Sequence, residues 1–279
     1  MMCRYVVYLS DSLKYVSIQN YVSAVLSLNH YYGHDVRSIR SEFEFCMTMA
    51  GVKRMLGDPE PLRPTLTLQQ LLVMLAHVDL RDPNELCMWA AIVTGFRSLL
   101  RKSNLVLDTL GVAPGHFLRR GAIKFRDWGM ELTISSSKTI QYMQRTHLIP
   151  ITLAVGSPFC AVSLLRAHFS ATSGLGPDSP AFMIRKEAKL VPLTYSALLR
   201  YLKSLLKKSG LETENVGLHS LRRAGALFMF DIGLSLEDIR QAGDWASMAA
   251  LLYLAKPFSL KVKSDLVVSR ALMEARIWR

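Results

Sequence analysis

The 279-residue chain contains few cysteines, and none is placed for disulfide or metal chemistry. Cys3, Cys46, Cys87 and Cys160 lie far apart, and no two form a Cys-x-x-Cys pair. Disulfide frameworks and structural zinc sites use closely and regularly spaced cysteines. The sequence therefore argues against both and favours a reducing compartment.

Long apolar runs, repeats and low-complexity segments are also missing. No run of 18 or more apolar residues occurs, although 50% of the residues are hydrophobic. This pattern argues against a membrane span and for a sizeable buried core. The N-terminus has no long apolar region or small-residue cleavage site, so we see no targeting signal.

The positive charge is large and unevenly distributed. The formal net charge is +12, and residues 1–62 carry six basic and six acidic side chains. Residues 63–279 carry the other 28 basic and 16 acidic side chains. Such an excess favours a polyanionic partner, either nucleic acid or an anionic membrane surface. From composition alone, a basic protein without such a partner remains an alternative.

A proline-rich stretch divides a sequence that is dominated by helical periodicity. Ser17–Tyr32 and Arg37–Leu56 place apolar residues at helical spacing. The stretch GDPEPLRP that follows holds three prolines in eight residues. We therefore predict a short helical segment at 1–62 and a larger domain at 63–279.

The larger domain is predicted to be mainly α-helical with a small antiparallel sheet. Thr67-Leu-Gln-Gln70 has the form of a capping box, and Asp82-Pro83 opens an apolar helix that runs to about Arg101. Alternating apolar and polar residues predict three strands, Ala122–Arg126, Met130–Ser135 and Thr146–Thr152. The other predicted elements are a short buried segment at Tyr5–Leu9, a short strand at Ala181–Ile184, and helices at Cys160–Ser170, Thr194–Ser209, Gly217–Phe230, after Ser235, after Trp245 and at Leu260–Trp278.

The stretch from Gly217 to Tyr253 combines residues suited to phosphate chemistry. His219 lies three residues before Arg222 and four before Arg223, so on a helix either arginine can share a face with the histidine. Guanidinium binds phosphate through a planar fork of donors, and imidazole exchanges a proton near neutral pH. Taken alone, the same residues also fit a half-buried histidine beside surface arginines.

Other candidates have ordinary explanations when each is taken alone. Arg101 follows an apolar helix, where a cation caps the C-terminus. Lys138 lies at a predicted strand connection, where a lysine is usually solvated. Trp245 and Tyr253 fit core positions.

Together, six residues occur in an order that resembles the signature of the tyrosine recombinase (phage integrase) family. They are Arg101, Lys138, His219, Arg222, Trp245 and Tyr253. RKSNL resembles the family's Arg-x-Ser-Glu-Leu box, with Asn104 in place of glutamate, and HSLRRAGA resembles its His-x-Leu-Arg box. RKSNL, SKTIQ and GDW-x-S are most similar to the recombinases of Crypton- and Ngaro-like mobile elements. Arg97, in Thr-Gly-Phe-Arg, resembles a bacterial form of the first motif and is the alternative to Arg101.

This resemblance implies a fold, a reaction and a role for each residue. The expected fold is a tyrosine recombinase catalytic domain at 63–279 after a truncated core-binding-like segment at 1–62. The expected reaction is cleavage and rejoining of DNA strands through a 3′-phosphotyrosyl intermediate on Tyr253, without a metal or other cofactor. The implied roles are phosphate binding by Arg101 and Arg222, protonation of the leaving oxygen by Lys138, proton exchange by His219, and support of the pocket by Trp245.

The expected partner is double-stranded DNA, on which the protein assembles as a homo-oligomer, with no membrane involved. The candidates for contact with the DNA backbone share a positive charge and are Arg200, Lys203, Lys207, Lys208 and Arg223. We expect a nuclear protein if the source is eukaryotic and a cytoplasmic one otherwise. Two alternatives are a type IB topoisomerase-like enzyme and a DNA-binding protein derived from a mobile element that no longer uses its site.

Overall fold

Two units divide the chain, Met1–Leu62 and Arg63–Arg279, each with its own hydrophobic core. The computed structural model describes residues 1–57, 65–108, 117–136, 140, 145–187 and 189–245. The helices predicted after Trp245 and at Leu260–Trp278 lie outside the described residues.

Residues 1–57 of the N-terminal unit form three α-helices around a small apolar core. They are α1 (Met2–Ser10), α2 (Tyr15–Tyr31) and α3 (Phe43–Leu56). The buried apolar residues are Val6, Leu9, Ile18, Val22, Leu26, Phe45 and Val52. The chain leaves α2 and α3 through Gly33 and Gly57, whose φ angles of 84° and 68° suit glycine because it has no Cβ.

Two predictions for this unit need correction. Tyr5–Leu9, predicted as a short buried segment, is part of helix α1. Helix α3 begins at Phe43 and not at Arg37, because residues 39–41 form a separate 3₁₀ turn.

Helix α5, Pro83–Ser98, is the most deeply buried of the helices that the structure describes in the larger unit. Its start agrees with the prediction, since Asp82 Oδ1 accepts the backbone N–H groups of Asn84 and Glu85 at 2.8 Å. Every residue from 89 to 96 is buried, as expected for a helix that is apolar nearly all round. The helix ends three residues before the predicted end, because Leu99 adopts a left-handed conformation with φ 52°.

Among the described residues, one further helix of this unit precedes α5 and five follow it in the chain. They are α4 (Leu68–Leu75), then α6 (Lys102–Leu105), α7 (Ala161–Ala171), α8 (Tyr195–Lys208), α9 (His219–Asp231) and α10 (Leu236–Ala242). Helices α7 and α9 make the most extensive helix contacts with α5. The predicted capping box is confirmed, because Thr67 and Gln70 each accept the backbone N–H of the other.

A three-stranded antiparallel sheet supports one side of the larger unit's core. Its strands are β1 (Ile123–Arg126), β2 (Gly129–Ile134) and β3 (His147–Thr152), with β2 in the centre. A second antiparallel pair consists of β4 (Met183–Lys186) and β5 (Lys189–Pro192). The three-stranded sheet is confirmed, whereas β4 begins and ends two residues later than the predicted strand Ala181–Ile184, and β5 was not predicted.

The described residues are mainly helical with small antiparallel sheets, which confirms the predicted fold class. None of the helices described combines the length and the hydropathy that crossing a lipid bilayer requires.

Candidate active site

A narrow cleft lies where the C-terminal end of α5 approaches α9, α10 and β3. Its polar and charged lining residues are Ser98, Arg101, Asn104, His147, Arg222 and Asp244. Two arginines that are distant in sequence therefore meet in one place. Guanidinium groups bind oxyanions such as phosphate through planar forks of donors.

Arg101 enters the cleft because the backbone turns sharply after α5. Leu99 ends α5 in the left-handed conformation, and Arg101 is the extended N-cap residue of α6, with φ −69° and ψ 151°. Arg97, the alternative first arginine, lies on α5 and lines a neighbouring groove with β3 and α10. Because Arg101 shares its cleft with Arg222, the placement favours Arg101 over Arg97.

Arg222 is the buried centre of the cleft, with 3% of its surface exposed. Its Nη1 donates to the backbone carbonyl of Leu99, and its Nη2 donates to that of Gly243 at 2.5 Å. Leu99 and Gly243 are the C-cap residues of α5 and α10, where helices leave carbonyls without intrahelical partners. Arg222 thus ties the ends of two helices to α9.

Trp245 packs against the guanidinium of Arg222. The Arg222 Cζ atom lies 4.1 Å from the centroid of the Trp245 ring, at cation–π distance. Trp245 is 7% exposed, and a Cβ at Gly243 would lie 1.8 Å from its ring. A side chain at position 243 would therefore displace the ring from Arg222.

Helix α9 places its two adjacent arginines differently. His219 is its first residue, and Arg222 follows on the next turn, as the predicted helical spacing requires. His219 and Arg223 are half-buried, and neither is among the cleft-lining residues in the part of the chain that the structure describes. Arg222 is the arginine of this pair that lines the cleft.

Lys138 and Tyr253 lie outside the described residues. The backbone carbonyl of Ser136, two residues before Lys138, accepts a hydrogen bond from Nδ2 of the buried Asn104 at 2.7 Å. An ionised glutamate at position 104 could not make this bond, because a carboxylate only accepts hydrogen bonds. Asn104, which stands where the family's Arg-x-Ser-Glu-Leu box has glutamate, therefore makes a hydrogen bond that an ionised glutamate could not make.

His147, the first residue of β3, is a cleft residue that the sequence did not single out. Burial lowers the pKa of His147, and the positive charges of Arg145 and Arg222 lower it further. The negative charge of Asp244 and the hydrogen bond to the Ala242 carbonyl raise the pKa but do not cancel this effect. The imidazole is therefore neutral near pH 7 and donates to the Ala242 carbonyl. The sequence signal was a polar residue at the start of a predicted strand, which is too common to identify a site.

The exposed face of α8 is strongly basic. The buried residues of α8 are Leu198, Leu202, Leu205 and Leu206. Its exposed basic residues are Arg200, Lys203, Lys207 and Lys208. This arrangement confirms the predicted basic amphipathic helix, whose contact with DNA stays a prediction.

Comparison with known proteins gives matches among solved structures. No protein-family model matches the sequence, and no curated protein matches it. The XerH site-specific recombinase bound to palindromic difH substrate matches with a TM-score of 0.64 and 16% identity, over 98% of this chain and 72% of that one. The Tn1549 transposon integrase in complex with transposon right end DNA matches with a TM-score of 0.64 and 14% identity, over 95% of this chain and 83% of that one.

The XerA recombinase provides a third comparison, with a TM-score of 0.54 and 14% identity, over 94% of this chain and 95% of that one. At sequence identities this low, the structural matches establish the fold alone. The chain therefore has the fold of the tyrosine recombinases, with a mainly helical catalytic domain and small antiparallel sheets.

Proposed function

We propose that the chain is a tyrosine recombinase that cuts and rejoins DNA strands through a covalent bond to Tyr253. The observation that supports this most directly is the cleft that Arg101 shares with Arg222, with Trp245 packed against Arg222. Of the solved proteins that share the fold, XerH is a site-specific recombinase bound to its difH substrate, and the Tn1549 protein is a transposon integrase in complex with transposon DNA. The motifs RKSNL, SKTIQ and GDW-x-S resemble those of Crypton- and Ngaro-like mobile-element recombinases and further support a recombinase of that kind.

The two arginines bind the scissile phosphate. Arg101 is partly exposed and offers its guanidinium to one non-bridging oxygen. Arg222 contacts the phosphate through N–H groups other than the two that hold Leu99 and Gly243. Each preorganised donor stabilises the charge that builds in the pentacoordinate state by about 3–4 kcal/mol.

Tyr253 attacks phosphorus, and the bond from phosphorus to the 5′-oxygen breaks. A tyrosine with a pKa of about 10 is ionised in about one molecule in a thousand at pH 7, so the nucleophile needs a proton acceptor, the role of His219. Lys138 donates a proton to the departing 5′-oxygen. The products are a 3′-phosphotyrosyl bond and a free 5′-hydroxyl, and attack by another strand's 5′-hydroxyl reverses the step. Because the bond energy is retained, no cofactor is required.

The surrounding residues bind the rest of the DNA. The exposed basic face of α8 contacts backbone phosphates. This electrostatic contribution to DNA affinity is independent of DNA sequence and sensitive to salt. The N-terminal unit serves as the core-binding segment. Protomers pair on the DNA because exchange of two duplexes requires more than one nucleophile.

Replacement of the nucleophile tests the proposal. The wild-type protein should form a covalent adduct with a nicked suicide duplex that carries element-terminal sequence. Tyr253→Phe should form no adduct and still shift the duplex on a gel, whereas the matched control Tyr195→Phe should form it normally. An adduct with Tyr253→Phe would exclude this residue as nucleophile. Relaxation of a plasmid without element sequence would support the topoisomerase alternative.

The general acid has a separate test. Lys138→Ala should slow cleavage of the ordinary duplex and cut at the wild-type rate when sulfur replaces the 5′-bridging oxygen, because a thiolate leaves without protonation. If the sulfur substrate does not restore the rate, Lys138 is not the acid.

A further inference from the structure

The Arg145–Asp244 ion pair joins two segments that border the cleft. Arg145 Nη2 lies 2.5 Å from Asp244 Oδ1, and the residues are 99 positions apart. The Asp244 side chain is 13% exposed and that of Arg145 is 50% exposed. One partner therefore belongs to the cleft, whereas the other approaches it from the segment before β3.

Asp244 lies at the centre of a turn that is held in a demanding conformation. Its φ angle is 50°, a left-handed conformation that aspartate tolerates better than most residues. On either side, the Gly243 carbonyl accepts Arg222 Nη2, and the Trp245 carbonyl accepts Arg240 Nη1 at 3.0 Å. The turn thus presents its carboxylate in a defined direction.

The same turn supplies two of the contacts that orient Arg222. One is the hydrogen bond to the Gly243 carbonyl, and the other is the Trp245 ring. Just before the turn, the Ala242 carbonyl accepts from His147, which lies two residues after Arg145. A shift of residues 242–245 would therefore move the surroundings of the Arg222 guanidinium.

We propose that Arg145 and Asp244 form a positioning pair that holds the Gly243–Trp245 turn and thereby orients Arg222. The inference rests on the proposed function, in which Arg222 binds the scissile phosphate. The Arg145 side chain is half exposed, which limits what the pair contributes to stability. A misplacement of about 1 Å in a catalytic group, however, can slow a reaction about 100-fold. The expected signature is slower chemistry in a protein that melts almost normally.

Two variants and two substrates test the pair. Arg145→Gln and Asp244→Asn should each slow cleavage of the ordinary suicide duplex by about 10-fold to 100-fold. The double variant should be no slower than the slower single variant, because both single changes break the same Arg145–Asp244 ion pair. A neutral methylphosphonate at the scissile position removes the ground-state charge and one of the two non-bridging oxygens, so cleavage depends less on Arg222 and both variants should lie closer to the wild type than on the ordinary duplex.

A surface ion pair on the β1–β2 hairpin provides the matched control. Arg126 Nη2 lies 3.1 Å from Glu131 Oε2, and the Arg126 side chain is 47% exposed, close to the exposure of Arg145. Arg126→Gln should cut both substrates at the wild-type rate.

Each outcome decides for or against the pair. Equal rates for Arg145→Gln and Arg126→Gln on the ordinary duplex would overturn it. So would a defect of the same size on the methylphosphonate, because the pair would then act on something other than Arg222. If Arg145→Gln proves unstable in thermal melting, Asp244→Asn breaks the same ion pair at its more buried partner. The cleavage rates of Asp244→Asn on the two substrates then decide. A wild-type protein that cuts neither duplex would instead refute the proposed function, and the pair's role with it.

Discussion

Gly225→Ala should destabilise the larger unit by forcing α9 away from α5. An added Cβ at Gly225 would lie 2.0 Å from the Phe96 carbonyl oxygen and 2.5 Å from Leu99 Cδ2. The carbonyl belongs to the backbone of a buried helix, so it cannot rotate away as a side chain can. The two helices would have to separate by about 1.5 Å to restore ordinary contact.

The magnitude follows from two opposing terms. Overpacking a core costs about 1–3 kcal/mol, and the rigid obstacle places Gly225 at the upper end of that range. Replacing a helical glycine by alanine returns about 1 kcal/mol. The expected net loss is about 2 kcal/mol in the free energy of unfolding.

Gly95→Ala on α5 is the matched control, because it adds the same methyl group in the same helix pair. Its Cβ would meet Leu105 Cδ2 at 2.9 Å, the movable end of a side chain. The cost of moving Leu105 should nearly cancel the helix-propensity gain of about 1 kcal/mol.

Denaturant unfolding followed by tryptophan fluorescence measures the difference. All four tryptophans belong to the larger unit, so the signal reports its unfolding. Gly225→Ala should also form less covalent adduct, because Arg222 lies on the displaced helix. Equal stability of Gly225→Ala and Gly95→Ala would refute the close approach of α9 to the α5 backbone.

Two further predictions concern pH and salt. Burial, together with the charge of Arg120, lowers the pKa of His168 to about 4, so the unfolded chain takes up the proton first as the pH falls. Between pH 6.5 and 4 the free energy of unfolding of the wild type should therefore fall by about 3 kcal/mol more than that of His168→Gln. Parallel stability profiles against pH for the two proteins would contradict this. Lys203→Gln and Lys207→Gln on α8 should each reduce the slope of log affinity for DNA against log salt by about 1, and an unchanged slope would remove α8 from the DNA surface.

Local rules predicted elements whose stabilising contacts are local. The caps at Thr67 and Asp82 were found because their partners lie within three residues. The early end of α5 was missed, because a leucine in the left-handed conformation carries no local signal. The Leu99 carbonyl accepts from Arg222, which is 123 residues away. A contact at that distance cannot be read from the sequence around position 99.

For the site, the sequence by itself determined the order of the candidate residues and their resemblance to one family's signature. Helical spacing could not choose between Arg222 and Arg223, because residues three and four apart from His219 are both neighbours on a helix, and the choice of Arg222 came from the resemblance to the family's motif. Only the tertiary structure decided that Arg222 meets Arg101 in one cleft, since that meeting depends on how α9 packs against α5 and on the turn at 243–245. His147 and the Arg145–Asp244 pair likewise acquire a role only when β3 and α10 are brought together.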